Sequence, residues 1–246
     1  MTPPAPPGPP VPLRDKLVAE AKSWLRAAAV ALAIWLVLRS YIVEAFRIPS
    51  PSMENTLLVG DFLFVDKTGY GGQFQIPFTG IRFLRLPGYA SPQRDGIIIF
   101  RSVEDSTPNL DVVKRLIGLP GDTLQMVNDT VIRNGIRLEE PWALYLLAGS
   151  DPIPPEVREE MRVHQLPHYV GPDPANYRPA LHNWGPIVIP PDSFWVMGDN
   201  RDNSRDSRYW GFLPKSHIEG RPLIIYMSVA TNPFRVRWNR LLKHPR

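Results

Sequence analysis

The sequence predicts a mainly β fold, interrupted by a loop-rich insertion and preceded by one N-terminal membrane-spanning helix. Three observations carry this reading: one long apolar stretch near the N-terminus, a succession of short β-type runs beyond residue 46, and a proline-dense segment that separates two groups of those runs. With 246 residues, 43% of them hydrophobic and 21% charged, the chain can bury a sizeable core. It has no cysteine, which excludes disulfides, thiol nucleophiles, thiolate zinc sites and iron–sulfur clusters, and leaves covalent chemistry to an oxygen or nitrogen nucleophile. The net charge of +4 is uneven: residues 1–26 hold four basic residues against two acidic, residues 235–246 hold five against none, and residues 39–234 hold 19 against 22. Nucleic-acid binding, which needs cations gathered on one surface, is therefore not expected.

The first twelve residues include seven prolines, a composition for polyproline-like or disordered backbone, and together with the basic residues that follow, 1–23 read as a tail. Ala27 to Leu38 is uninterruptedly apolar, and Trp24, Tyr41, Ile42 and Val43 extend the stretch to residues 24–43, with Arg26 and Arg39 placed to snorkel. That length suits one span of a bilayer, and the cations before it put the N-terminus in the cytoplasm and the rest outside. A cleaved leader would need small residues before its cut, a condition that Val43-Glu44-Ala45 meets poorly, and a core helix would be apolar on one face only.

Strands are expected at 61–66, 96–100, 112–117, 123–127, 130–133, 186–189, 194–197 and 223–229, with no long helical pattern among them. Asn128-Asp129 and Asn134-Gly135 read as hairpin turns, and Gly118-Leu-Pro-Gly121 as a tight reversal. The catalytic core is thus drawn from residues 44–140 and 186–234. Residues 141–191 hold eleven prolines, and 141–185 read as an inserted cap. Its His164, His168 and His182 show no ligand spacing and read as solvated loop histidines, so no metal site is assigned. The basic tail 235–246, with Trp238, Leu241 and Leu242 among its cations, reads as an interfacial segment or a solvated extension.

Three segments could carry chemistry. In Ile48-Pro-Ser-Pro-Ser-Met53 the prolines stiffen the backbone, presenting Ser50 and Ser52 on an extended segment suited to a nucleophile or simply to a rigid linker. In Asp111-Val-Val-Lys-Arg-Leu-Ile-Gly118, strand alternation puts Val112, Lys114 and Leu116 on one face and Val113, Arg115 and Ile117 on the other. A lysine of ordinary pKa, ~10.4, is a poor base at neutral pH, but an apolar face would desolvate it, whereas arginine stays protonated; the alternative is an edge-strand lysine that guards against aggregation. Gly198 to Gly211 repeats Asp, Asn and Arg, but a calcium loop begun at Asp199 would place Arg201 at a ligating position and lack its glycine. An ordered loop held by Arg and Asp pairs remains.

These segments, in this order after an apolar stretch, resemble the successive boxes of bacterial type I signal peptidases: the serine box with Thr56 to Asp61, Val113 to Asp122, and Gly198 to Gly211. The resemblance implies a signal-peptidase-like β core with Ser52 as nucleophile and Lys114 as general base. It implies that Ser50 joins the Ser52 amide in the oxyanion hole, that Ser204 orients Lys114, and that Asp206 and Arg208 form a structural ion pair. Phe46, Ile48 and Leu57 match apolar substrate-pocket positions, and Asp111, Val112 and Val113 the strand along which substrate pairs. The implied reaction is hydrolysis after an Ala-x-Ala-like site of preprotein signal peptides, at the bacterial inner membrane with the catalytic domain outside, with the lipid bilayer as a further partner and neither cofactor nor metal. Two departures stand out: Pro51 where many members have glycine, and Arg94-Asp-Gly96 with Asp and Gly reversed. The rival readings are a self-cleaving repressor, which the apolar N-terminal region disfavours, and a membrane-anchored scaffold without catalysis.

Overall fold

The computed structural model describes residues 12–76, 81–108, 110–147 and 153–245. The polyproline reading of the first residues falls on 1–11, outside the described residues. Helix α1 (Leu13–Tyr41) is long and apolar enough to cross a membrane and is almost wholly exposed. It starts well before the apolar stretch begins, because the residues between the proline tail and Trp24 are mostly good helix formers.

The chain then runs through β1 (Val43–Arg47), β2 (Asp61–Asp66), β3 (Gln73–Gln75), β4 (Arg82–Arg85), β5 (Ile97–Arg101) and β6 (Asp111–Gly118). After these come β7 (Thr123–Val127), β8 (Thr130–Arg133), β9 (Ile136–Arg137), helix α2 (Pro155–Gln165), β10 (Trp184–Val188) and β11 (Ser193–Met197), and finally the short α3 (Ser207–Trp210), β12 (Leu213–Pro214), β13 (Ile218–Thr231) and β14 (Phe234–Val236). The main sheet has the order β1-β2-β13-β5-β6-β11-β12, with β14 added to β13; β10-β7-β8-β9 form a second sheet, and β3 and β4 a separate hairpin. All eight expected strands are present. Both hairpin turns take the left-handed backbone that Asn and Gly tolerate, at φ of 46° and 65° for Asn128 and Asp129 and of 54° and 80° for Asn134 and Gly135.

Strand β5 shows why this sheet is central. Ile97 and Ile99 pack with Ile48, Leu57 and Val113 on one face, while Ile98 and Phe100 pack with Leu116 and Val196 on the other. A strand covered on both faces reads as a continuous apolar run, as Ile97 to Phe100 does. Strand β6 beside it obeys the expected alternation, with Val113 in the first cluster and Val112 and Leu116 in the second.

Two expectations are corrected and one is extended. The loop-rich cap also carries a helix: α2 begins with Pro155 in its first turn and buries Met161 and Gln165. Its other faces are so rich in Glu and Arg that no apolar stripe marks it in the sequence. His182 is not solvated; it is 4% exposed and sits between the carboxylates of Asp129 and Asp202. His164 is exposed, and His168 stands edge-on to Phe212. The basic tail is neither a solvated extension nor free for an interface along its whole length. Leu242 N donates to Ile225 O and Ile225 N to Lys243 O, while Arg240 pairs with the fully buried Asp61 and donates to Thr56 O. Asp61 also accepts from Leu58 N at 2.8 Å and Ser228 Oγ at 2.6 Å, so the tail braces the loop that follows Ser52. Removing Arg240 leaves this buried carboxylate with only the longer contact to Arg237 Nη2, at 3.6 Å, as its cation. Arg240→Ala is expected to cost about 3 kcal/mol, seen as a lowered midpoint in thermal denaturation of the detergent-solubilised protein.

Candidate active site

Ser52 sits where an extended residue meets a tight turn. Ser50 is extended, at φ −125° and ψ 156°, as a residue before proline prefers, and Pro51 then opens a single 3-10 turn over Pro51–Met53 that Glu54 N closes on Pro51 O at 2.9 Å. The segment is therefore stiff but not extended throughout. The turn presents Ser52 Oγ to β6, where Lys114 Nζ donates to it at 2.6 Å; Ser50 Oγ lies 3.4 Å from Ser52 Oγ. Lys114 is 3% exposed. Burial pulls its pKa down from 10.5 to about 8, against the nearby Asp206, Asp199 and Glu104 carboxylates, with the Arg208 guanidinium adding to the depression. The pair can therefore exchange a proton near neutral pH, a histidine's usual task.

The loop 198–211 backs this pair. Ser52 O accepts from Asn200 N at 3.1 Å, and Gly198 N donates to Asp206 Oδ2 at 2.9 Å. A Cβ on Gly198 would stand 2.5 Å from Ser52 O and 2.2 Å from Ser204 Oγ, so only glycine permits this approach. Asp206 and Arg208 form a bidentate pair, both fully buried, with Nε–Oδ1 at 2.9 Å and Nη2–Oδ2 at 3.0 Å. Burial pushes the Asp206 carboxyl up, but Arg208, the Gly198 amide and Lys114 together outweigh it and hold it below the ordinary carboxylate value. Ser204 departs from expectation. It is buried, but its Oγ is turned toward Gly198 and bonds to nothing, Lys114 included.

Ser52 and Lys114 open onto a cavity of about 310 Å³ whose apolar wall includes Phe100, Val103, Leu110, Val112 and Trp210, and whose rim includes Glu104, Asn203 and Arg205. Ile48 and Leu57 do not line it. They are 2% and 0% exposed in the core behind β6, with Phe46 half-buried against them. Asp111, Val112 and Val113 do adjoin the site as an edge: β5 pairs with Asp111 through Arg115, but β11 pairs only with Arg115, Leu116 and Gly118. On the β11 side, no described strand pairs with residues 111–114.

Sequence reasoning missed the groups that lock the loop from beneath. Arg115, set aside as unable to act as a base, clamps Asp199 with Nε–Oδ1 at 2.8 Å and Nη2–Oδ2 at 2.7 Å, both residues buried, and lies 4.2 Å over the Trp142 ring. Arg201 pairs with Glu140 and donates to Gly198 O at 3.0 Å. Gln165 of α2 donates to Arg208 O at 2.8 Å, tying the cap to the same loop. Only the density of Arg and Asp in the loop signalled such a network, and it named no partners.

The family model described as signal peptidase, peptidase S26, matches residues 21–227. The chain belongs to this family. It is similar to signal peptidase I of Pseudomonas aeruginosa, 36% identical over 215 residues that cover 80% of this chain and 69% of the relative. It is likewise similar to signal peptidase I of Leptolyngbya laminosa, 31% identical with 93% of this chain and 90% of the relative covered. A crystal structure of a signal peptidase I from Enterococcus faecalis is 30% identical, covers 53% of this chain and 96% of its own, and has a TM-score of 0.34. The chain is thus a type I signal peptidase, a serine peptidase that removes signal peptides. Both departures from the signal peptidase pattern are accommodated. Pro51 occupies the first position of a turn, where its fixed φ fits, and Asp95 stands at φ 67°, a left-handed position that Asp tolerates better than most residues. Asp95 is further held by Arg133 at 3.0 Å and gives its carbonyl to Arg115 at 2.7 Å.

The buried amine has a thermodynamic signature. Its folded pKa of about 8 lies below the 10.5 of an unperturbed lysine, so the unfolded chain binds the proton more tightly and the penalty is full below pH 8. It fades as pH rises from 8 and is gone above 10.5. Lys114→Met, close in volume, is expected to stabilise the protein at pH 7 by about 3 kcal/mol and to lose that advantage by pH 11, measured as thermal midpoints across pH.

Proposed function

We propose that Ser52 and Lys114 are the nucleophile and general base of this signal peptidase, and the observation that carries the reading is the 2.6 Å contact between Ser52 Oγ and a lysine amine stripped of solvent. The neutral Nζ takes the Ser52 hydroxyl proton as Oγ attacks the scissile carbonyl carbon. The resulting ammonium returns that proton to the leaving amine nitrogen as the C–N bond breaks, leaving an acyl-serine. Water, deprotonated by Lys114, then attacks the acyl carbon; the C–Oγ ester bond breaks, the ammonium returns the proton to Ser52 Oγ, and the new carboxyl end departs. The developing oxyanion is held by the Ser52 amide and the Ser50 hydroxyl. Ser204 is the base-orienting residue in this reading, since its buried hydroxyl lacks a partner and gains one by turning to the amine. Asp206 and Arg208 hold the loop.

Substrate adds as a strand to the open edge at Asp111, Val112 and Val113. Its side chains then alternate between the two faces of the sheet. One face is the tightly packed region of Phe46, Ile48, Leu57 and Val113, which leaves room only for small side chains; the other is the cavity, which tolerates larger ones. That alternation favours Ala-x-Ala-like sites. α1 spans the bacterial inner membrane once with its N-terminus in the cytoplasm, so the site faces signal peptides on the outer side.

The test is cleavage of a preprotein by the detergent-solubilised enzyme. Ser52→Ala and Lys114→Ala are expected to abolish cleavage, and Ser50→Ala to lower kcat about 10²-fold; equal cleavage by all variants and wild type would overturn the assignment. In the wild type, kcat/KM is expected to rise with pH and level off above about 8, as Lys114 loses its proton.

A further inference from the structure

Six charged side chains of alternating sign run from the end of α1 to the strand edge beside Ser52. Arg39 Nη2 pairs with Glu44 Oε1 at 3.1 Å, and Glu44 Oε2 with Lys67 Nζ at 3.1 Å. Lys67 Nζ lies 4.0 Å from Glu219 Oε2; Arg82 then bridges Glu219 Oε1 at 2.5 Å and Asp111 Oδ1 at 3.2 Å. The inner members are largely out of water, with side chains 3% exposed at Lys67, 5% at Arg82 and 10% at Glu219. A second contact runs in parallel. Tyr41 Oη, at the end of α1, donates to Leu84 O of the β3–β4 hairpin at 3.1 Å, and its ring meets Phe74. The same hairpin carries Arg82, so helix and charge chain converge on one hairpin.

Exposed ion pairs are worth little, but inner pairs removed from solvent cannot lose one member without stranding the next. The chain therefore resists any change in the angle between α1 and the first residue of β6. That residue begins the edge on which substrate pairs, and the register there decides which carbonyl meets Ser52 Oγ. An edge that has shifted must be brought back into register by the substrate's own binding energy, which raises KM and leaves the chemical step of the bound complex unchanged.

We propose that the chain Arg39–Glu44–Lys67–Glu219–Arg82–Asp111 is a positioning device that fixes the substrate-pairing edge relative to the membrane helix. A signal peptide whose apolar part lies in the bilayer thereby delivers its scissile bond in register. This rests on the proposed function, in which the edge of β6 receives a membrane-borne substrate. Arg39 and Glu44 act on membrane-presented substrate alone, because a short peptide in solution brings no bilayer constraint to match. Arg82 acts on both, because it holds Asp111 itself.

The experiment reconstitutes the full chain in liposomes and gives it two substrates: a preprotein embedded in the same vesicles, and a soluble peptide spanning the cleavage site without the apolar core. Arg39→Gln and Glu44→Gln are each expected to raise KM for the preprotein about tenfold, leaving kcat and the soluble peptide within twofold of wild type. Arg82→Gln is expected to raise KM at least tenfold for both substrates, and Arg82→Lys to recover most of that loss. Intact cleavage of the soluble peptide shows that the Arg39 and Glu44 variants are folded. Equal effects of Arg39→Gln and Glu44→Gln on both substrates, or no effect on either, overturn the proposal. So does a fall in kcat with KM unchanged for Arg82→Gln. A wild type that cleaves neither substrate refutes instead the function on which the proposal rests.

Discussion

Everything in this molecule is arranged around the cost of taking one amine out of water. In the proposed reading Lys114 works as a base only if its proton is loosely held, and that requires walls: Phe100 and Val112 from the sheet, and the loop 198–211 pressed against Ser52. Carboxylates close by would undo the effect by favouring the ammonium. Asp206 is paired with Arg208 and Asp199 with Arg115; both carboxylates still favour the ammonium, and burial outweighs them. The Arg208 guanidinium adds to the depression directly.

Such an architecture gains little net stability from its ion pairs. Desolvating two charges roughly offsets their attraction, and a hydrophobic core of the same volume would hold the sheet as well. The pairs give geometry instead. A bidentate guanidinium allows one orientation of a carboxylate, and through Asp206 it fixes the Gly198 amide, through Arg201 the Gly198 carbonyl, and through Asp199 the threonine hydroxyl of Thr56. Each contact removes one way in which the loop beside Ser52 could drift.

The sequence carried the sheet well because its strands obey local rules. The four-residue run Ile97 to Phe100, the alternation of Asp111 to Gly118 and the two Asn-led turns are each decided by neighbours along the chain. That Ser52 meets Lys114, and Asp206 pairs with Arg208, was legible from their boxes. What escaped is long-range and polar. Glu140 finds Arg201 across 61 residues and Asp61 finds Arg240 across 179, and no periodicity encodes such partners. Helix α2 escaped for a related reason: its burial rests on Met161 and on Gln165, a polar residue whose hydrogen bonds only the folded cap supplies. The Ser204 hydroxyl, buried without a hydrogen-bond partner, is a matter of side-chain placement that lies below the grain of any sequence pattern.

The brace from Arg240 to Asp61 also imposes an order on biogenesis. The serine turn and the lysine strand come early in the chain, yet the carboxylate that closes the loop after Ser52 meets a guanidinium 179 residues downstream. Until Arg240 has been synthesised, that loop lacks one of its braces. The candidate site is thereby coupled to a segment remote from it in sequence and takes its final form only after that segment has been made.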